Sequence, residues 1–146
     1  MTSIDFYFNA EDRVQVACRL AAKALQQGKR LLVYAGDGES AARLDRTMWT
    51  WPAIGFVPHV LVHDPLAPQT PVLIAADAAT LESPPVDVRL LLNVSNECPP
   101  HFERFERLLE VVGADEAGKS SGRERYRFYR DRGYPIANHD LAAPHG

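Results

Sequence analysis

The sequence predicts a single α/β domain in which a parallel sheet is covered by helices. In the first third of the chain, segments with the pattern of strands alternate with segments with the pattern of helices. This alternation is typical of a parallel sheet with helices packed on its faces. The chain has 146 residues, of which 24% are charged and 46% hydrophobic, and these values fit one globular domain with its own core.

The first four elements can be placed in order. Residues 4–8 alternate apolar and polar side chains, which predicts a strand with one buried face. Residues 11–27 carry apolar side chains at three- and four-residue spacing before Gly28, as in a helix with a glycine after its end. Residues 30–35 form an apolar run that predicts a strand buried on both faces. A second helix is expected from about Glu39 to Trp49.

The rest of the chain, from residue 56, is predicted to contain three more strands and two helices. The strands are expected at residues 56–62, where Pro58 favours a sheet edge, at residues 72–75, and at residues 88–94 as the last central strand. A helix is expected to open at Pro99, because the apolar residues that follow keep helical spacing: Phe102, Phe105, Leu108, Leu109 and Val112. After a polar connection from Gly113 to Gly122, a basic helix closes the fold.

Composition and termini narrow the class of protein. No run approaches the roughly 18 apolar residues needed to span a bilayer, and the first residues lack a basic-then-apolar signal. Cys18 and Cys98 are far apart and in no CxxC spacing, so we expect reduced thiols in a cytoplasmic protein. A net charge of −3 argues against a protein that coats nucleic acid by bulk charge.

One turn has the spacing of a dinucleotide-binding motif. Residues 36–41 match G-x-G-x-x-A between an expected strand and an expected helix. Asp37 and Glu39 would repel a pyrophosphate there, and no ribose-binding acid follows about twenty residues on. The same acids suit a helix N-terminus as caps, so a nucleotide-binding enzyme is the weaker interpretation.

No other group of residues forms a recognisable catalytic or metal-binding motif. His59, His63 and Asp64 are close in sequence, but a metal site needs three or four converging ligands, and the chain supplies no further paired set. Ser95 and Ser121 lack a nucleophile-elbow setting, and neither cysteine has an activating neighbour in sequence. The sequence therefore predicts neither catalytic residues nor a metal site.

The basic segment at residues 119–134 is the most informative one. It holds six of the sixteen basic residues and a local charge of +4, while the rest of the chain sums to −7. At helical spacing, one face carries Arg123, Arg127 and Arg130 with Tyr126 at its margin, and Phe128 and Tyr129 turn towards the core. Arginines beside a tyrosine suit an acidic peptide end with an aromatic side chain. A solvated basic face and a single-stranded nucleic-acid site remain alternatives.

A second cluster is apolar and centres on a proline-containing turn. Its members are Trp49, Trp51, Ile54, Phe56 and Val57. Residues of this kind form cores, and they also serve as anchors in protein interfaces. The pattern alone leaves both interpretations open.

Four blocks of residues, in this order, resemble the chi subunit family of bacterial DNA polymerase III. The blocks are Phe6-Tyr7, then Arg43-Leu44-Asp45 with Trp49, Pro52 and Phe56-Val57-Pro58-His59, then Pro71-Val72, and finally Arg123-Glu124-Arg125-Tyr126 with Tyr129-Arg130 and Gly133-Tyr134. They span a chi-like domain at residues 1–134, and residues 135–146 form a tail that the resemblance leaves unassigned.

The resemblance implies a three-layer α/β/α Rossmann-like sandwich with a mostly parallel sheet, no cofactor and no catalysis. Such a subunit pairs with the psi subunit of the clamp-loader complex and binds the acidic C-terminal tail of single-stranded DNA-binding protein, which ends in phenylalanine. By resemblance, the tail site comprises Arg123, Tyr126, Arg127, Val112 and Arg130. A lysine is common in the family where Arg127 stands.

The resemblance places the psi-facing surface elsewhere on the domain. It falls on Phe56 and its neighbours Trp49, Val57, Pro58 and His59. In some bacteria the family also pairs with a helicase-like repair protein through an overlapping surface that includes Trp49 and Phe56. The implied role is a replisome adaptor that contacts nucleic acid only indirectly.

Overall fold

One sheet of seven parallel strands runs through the computed structural model, which describes residues 1–50, 57–84 and 87–142. The strands are Ser3–Ala10 (β1), Leu31–Tyr34 (β2), His59–Leu61 (β3), Val72–Ala75 (β4), Leu90–Asn93 (β5), Arg107–Gly113 (β6) and Ile136–Asp140 (β7). Their order across the sheet is β3-β4-β2-β5-β6-β1-β7, and every neighbouring pair is parallel.

Helices cover both faces of this sheet. They are Arg13–Gln26 (α1), Gly38–Thr50 (α2), Ala79–Glu82 (α3) and Glu116–Asp131 (α4). Alternate residues of β2 enter different cores: Leu31 and Val33 pack with α1 and α2, and Leu32 and Tyr34 pack on the side of α4. A central strand buried on both faces explains the uninterrupted apolar run in its sequence. The predicted α/β/α sandwich is confirmed.

Aspartate side chains cap the N-termini of α1 and α4. The Asp12 side chain accepts from the amides of Val14 and Gln15 at 3.0 and 3.2 Å. Asp115 accepts from the Gly118 amide at 2.9 Å. These caps satisfy amides that a helix leaves without internal partners. No helix in the described ranges is long and apolar enough to cross a membrane.

The prediction of a helix after Pro99 is wrong. Residues 102–104 form a single 3-10 turn, and residues 107–113 form β6, which pairs with β5 on one side and β1 on the other. Leu108, Leu109 and Val112 are all at most 5% exposed, because both faces of this strand are covered. A run that is apolar on both faces also fits helical spacing, so periodicity alone could not distinguish the two. β5 is therefore not the last central strand.

The segment that the sequence left unassigned contributes the edge strand β7. It pairs with β1 from Ile4 opposite Ile136 to Phe8 opposite Asp140. His139 stacks on Tyr7 with ring centroids 4.4 Å apart. The side chain of this histidine also lies 2.9 Å from the carboxylate of Asp5. These contacts fix the strand to the sheet.

Candidate functional site

A fully buried carboxylate holds α4 on the sheet. Glu110 lies in β6 with no exposed surface, and its Oε1 is 3.2 Å from Arg125 Nε. The Tyr129 hydroxyl donates to Oε2 at 2.5 Å, and the Asn93 amide donates to Oε1 at 2.8 Å. Burial raises the pKa of Tyr129, so its hydroxyl stays protonated as a donor. Arg125 is therefore part of the core, although it belongs to the basic segment at residues 119–134.

Two glycines on the inner face of α4 let the helix approach the end of β6. A Cβ atom at Gly122 would lie 2.6 Å from Val112 Cγ1. A Cβ atom at Gly118 would lie 2.8 Å from the Gly113 carbonyl oxygen. Real Cβ contacts of that length essentially never occur, so only glycine permits this packing. The close approach places the next residue, Arg123, beside Val112.

A groove of about 400 Å³ lies between α4 and strands β1 and β7. Phe6, Phe8 and Val112 supply its apolar lining from the sheet. The half-buried Tyr126 lines it from the helix and meets Phe6 edge-on, with ring centroids 5.2 Å apart. The floor of the groove can therefore receive an apolar or aromatic group.

The rim of the groove is polar and asymmetric. Lys119 and Arg123 line it from α4, while Asn9 and Asn138 line it from β1 and β7. Within the described residues, neither Lys119 nor Arg123 forms an ion pair or a side-chain hydrogen bond. Two unpaired cations above an apolar floor suit an anion that carries an apolar group.

The structure brings together three of the five residues expected at the tail site: Val112, Arg123 and Tyr126. Arg127 is exposed one turn further along α4 and does not line the groove. Arg130 is exposed and pairs with Asp131 at 3.1 Å. These two arginines therefore lie outside the groove.

Sequence reasoning missed Lys119 because it placed residues 113–122 in a connection before the helix. The helix begins earlier, at Glu116, so Lys119 lies one turn before Arg123 on the same face. The signal that could have placed this start is Asp115, an aspartate in the N-cap position before Glu116. Phe8 and Asn138 reach the groove through the pairing of β1 with β7, which local sequence patterns do not reveal.

The second expected surface is only partly accessible. Trp49 is 59% exposed near the end of α2, and its ring lies 5.0 Å from that of His59. Val57 and His59 are each 2% exposed, and His59 Nδ1 lies 2.6 Å from the Val57 carbonyl oxygen. In contrast to the expectation of an interface, these two side chains are buried and not accessible to a partner. Pro58 is half-buried.

Three residues of the expected apolar cluster, Trp51, Ile54 and Phe56, lie outside the described residues. Leu61 in β3 and Leu66 in the turn after it are exposed apolar residues, at 42% and 56%. Trp49 is therefore the accessible member of the expected set within the described part of the chain.

The glycine-containing turn at residues 36–41 is explained by internal packing. The Asp37 carboxylate accepts from the Ser40 amide at 2.7 Å and from its hydroxyl at 3.1 Å. Hydrogen bonds from Ser40 lower the pKa of Asp37, so a negative charge stands at the N-terminus of α2. Gly36 has a φ of +89°, and a Cβ atom there would lie 2.9 Å from Ser95 Cβ. The carboxylate already accepts from an amide at the start of α2, which a pyrophosphate bound there would otherwise use.

The histidine pair does not gather metal ligands in the described ranges. His59 is buried at the start of β3, whereas His63 is exposed beyond its end. Across those ranges, no group of three or more His, Cys, Asp and Glu side chains is arranged to hold a metal ion.

The chain is similar to known proteins along most of its length. A family model described as DNA polymerase III chi subunit, HolC, matches residues 1–137. The chain is 36% identical over 146 residues to DNA polymerase III subunit chi of Pseudomonas aeruginosa, covering 97% of this chain and 98% of that protein. It is 31% identical over 122 residues to subunit chi of Escherichia coli, covering 84% and 81% of the two chains.

A solved structure shows a related architecture. The C-terminal domain of Saccharomyces cerevisiae Dbp5 superposes with a TM-score of 0.57 and 9% identity, covering 98% of this chain and 92% of that domain. At such low identity, the likeness shows the fold alone.

Proposed function

Because this chain belongs to the family of DNA polymerase III chi subunits, which are replication accessory subunits, we propose that it acts as a non-catalytic adaptor. In this role it joins the clamp-loader complex, through the psi subunit, to the acidic C-terminal tail of single-stranded DNA-binding protein. The observation that carries the proposal is the groove beside α4, with its apolar floor and unpaired cations.

The groove offers one contact for each part of a peptide terminus. Arg123 and Lys119 receive the terminal carboxylate, since both are free to donate hydrogen bonds to an anion. Val112, Phe6 and Tyr126 pack against the terminal phenylalanine ring. A buried aromatic side chain beside a charge-assisted bond is a common kind of interface anchor.

The exposed arginines beyond the groove have a different role in this proposal. Arg127 and Arg130 lie along α4 on the solvent side, where they attract the acidic residues that precede the terminus. Arg130 contributes less, because it already pairs with Asp131. Attraction between exposed charges is screened by salt, so the association is expected to weaken as ionic strength rises.

Calorimetry with a synthetic acidic peptide that ends in phenylalanine tests this assignment. A charge-assisted hydrogen bond contributes about 1.5–3 kcal/mol, so Arg123→Ala should weaken binding about tenfold or more. Arg46→Ala removes an exposed arginine from α2 and should leave the affinity unchanged. Equal affinities of the wild type and Arg123→Ala would show that the peptide binds elsewhere.

Direct binding of single-stranded DNA is the second candidate, because Arg123, Arg127 and Lys119 would also contact phosphates. The net charge of −3 favours the peptide, since a site for single-stranded DNA follows several phosphates along a basic groove, whereas here two cations face one recess. An oligonucleotide titration separates the two. Saturable binding of bare DNA, with none of the peptide, would favour the second candidate.

The surface around Trp49 is proposed to face the psi subunit, or in some bacteria a helicase-like repair protein. Trp49 supports this because a 59% exposed tryptophan presents a large apolar area to solvent. Trp49→Ala should reduce copurification with psi while peptide binding is retained. Retained copurification would remove Trp49 from the interface.

A further inference from the structure

Two asparagine side chains form the wall of the groove opposite the cations. Asn138 belongs to β7 and lies beside Phe6 of β1 in the sheet register. Asn9 has a φ of 63° at an irregularity of β1, and its Nδ2 donates to Asp140 Oδ1 at 2.8 Å. Within the described residues, the Asn138 carboxamide forms no hydrogen bond, so it is free for a ligand.

A peptide terminus in the groove has a hydrogen-bonding need that the cations cannot meet. Its last residue carries a backbone N–H as well as a carboxylate, and both groups are bonded to the same Cα atom. Lys119 and Arg123 can only donate, so they satisfy the carboxylate and not the N–H. An N–H removed from water without an acceptor weakens binding.

The arrangement of the walls indicates where the acceptor lies. With the carboxylate at the α4 wall and the side chain on the apolar floor, the tetrahedral Cα leaves the N–H for a remaining side of the groove, and β7 forms such a side. Asn138 lines that wall and carries a carbonyl oxygen that can accept. The oxygen of Asn9 is also nearby, but its carboxamide is already held by Asp140.

We propose that the Asn138 carboxamide accepts a hydrogen bond from the last peptide N–H of the bound chain. This inference rests on the proposed function of the groove and adds a determinant of its specificity. With the cations and the floor alone, the groove would accept any aromatic carboxylate. With Asn138 as a third point of contact, it selects a peptide C-terminus. β7 is thereby part of the recognition surface.

A cycle of one protein change and one peptide change tests the inference by calorimetry. The parent peptide is acidic and ends in phenylalanine, and its partner has an ester in place of the last amide, so that an oxygen that cannot donate replaces the last N–H. Asn138→Ala should bind the parent peptide about three- to tenfold more weakly, as expected for one neutral hydrogen bond. With the wild type, the ester should bind more weakly than the parent peptide by a similar factor. With Asn138→Ala, the ester and the parent peptide should bind with equal affinity.

Ala137→Ser serves as the control within the same strand. Ala137 points to the opposite face of the sheet, since successive strand residues alternate. The affinity of Ala137→Ser for both peptides should therefore match that of the wild type. Thermal unfolding of each variant checks that β7 is retained. Should Asn138→Ala not fold, the difference between amide and ester with the wild type still tests the bond.

The outcomes separate the two proposals. Binding of the parent peptide that is unaffected by Asn138→Ala would overturn the inference and leave the groove assignment intact. Equal affinities of amide and ester for the wild type would overturn it as well. No binding of the parent peptide by the wild type would remove the proposed function and this inference together. Losses of affinity from Asn138→Ala and from the ester that are not additive when combined would support the inference.

Discussion

Gly122→Ala is a perturbation for which helix propensity and packing predict opposite signs. In an exposed helix interior, alanine is more favourable than glycine by about 0.8–1.0 kcal/mol. At Gly122, however, the added Cβ would lie 2.6 Å from Val112 Cγ1 and 3.0 Å from Val112 Cγ2. Carbon atoms in good contact are about 3.5–4.0 Å apart, so the helix must move by about 1 Å.

The structure allows little room for that movement. Val112 is β-branched and buried in a central strand, so its rotation is restricted. The adjacent turn of α4 is tied to β6 by Arg125 and Glu110. Overpacking of this kind costs about 1–3 kcal/mol, which equals or exceeds the gain in propensity. We therefore expect a net loss of up to about 2 kcal/mol in the free energy of unfolding, from the difference of these two terms.

Urea denaturation measures this loss, and Gly38→Ala is the matched control. Gly38 begins α2, and an added Cβ there would meet no atom within 4 Å. That variant should be neutral or slightly stabilised. Gly122→Ala should also bind the acidic peptide more weakly, because displacement of α4 moves Arg123 and Tyr126 away from Val112. A Gly122→Ala protein that is more stable than the wild type would refute the close packing.

Three further predictions concern other parts of the molecule. Arg125→Met should destabilise the protein by about 3–5 kcal/mol, because it leaves the buried Glu110 carboxylate without its ion pair, and urea denaturation measures the loss. Burial acts to raise the pKa of Asp5, but hydrogen bonds from Arg107 and His139 outweigh it and lower that pKa. The stabilisation by Asp5 should therefore be complete above about pH 3.9, the pKa of an unfolded aspartate, and be lost as the pH falls below it. Asp5→Asn should thus make the free energy of unfolding less dependent on pH on the acid side. Trp49→Ala should leave the midpoint of thermal unfolding within about 2 °C of the wild type, since surface substitutions change stability by about 0.5 kcal/mol or less, and a larger drop would place Trp49 in the core.

Local patterns in the sequence were sufficient to predict the first four elements of the fold. The alternation in residues 4–8 and the apolar run before Ala35 correspond to β1 and β2, and the expected helices match α1 and α2 within two residues at each end. The alternation of β1 and the helical spacing of α1 and α2 each fit one kind of secondary structure, and the apolar run of β2 is too short for a typical helix.

The same patterns were insufficient where burial is complete. β6 is covered on both faces, so its apolar residues satisfied a helical template as well as a strand. Arg125 counted as surface charge in the sequence because its partner Glu110 is fifteen residues away in another element. Lys119 was left out because the start of its helix was placed too late.

The groove shows which part of a site composition can indicate. Arg123 and Tyr126 were predicted from the mixture of arginine and tyrosine on one helix, and they do lie together. The opposite wall depends on the pairing of β7 with β1 over a separation of more than a hundred residues in sequence. Asn138 therefore became visible only in the folded chain.

An NMR titration of the isotope-labelled protein shows where the peptide binds. The peptide is acidic and ends in phenylalanine, and the observable is the chemical shift of each backbone amide. Binding in the groove should give saturable changes centred on Gly122, Arg123 and Tyr126 in α4 and on Asn138 in β7, with little change around Asp37. Changes centred on Trp49 or Asp37, or no saturable change at all, would contradict it.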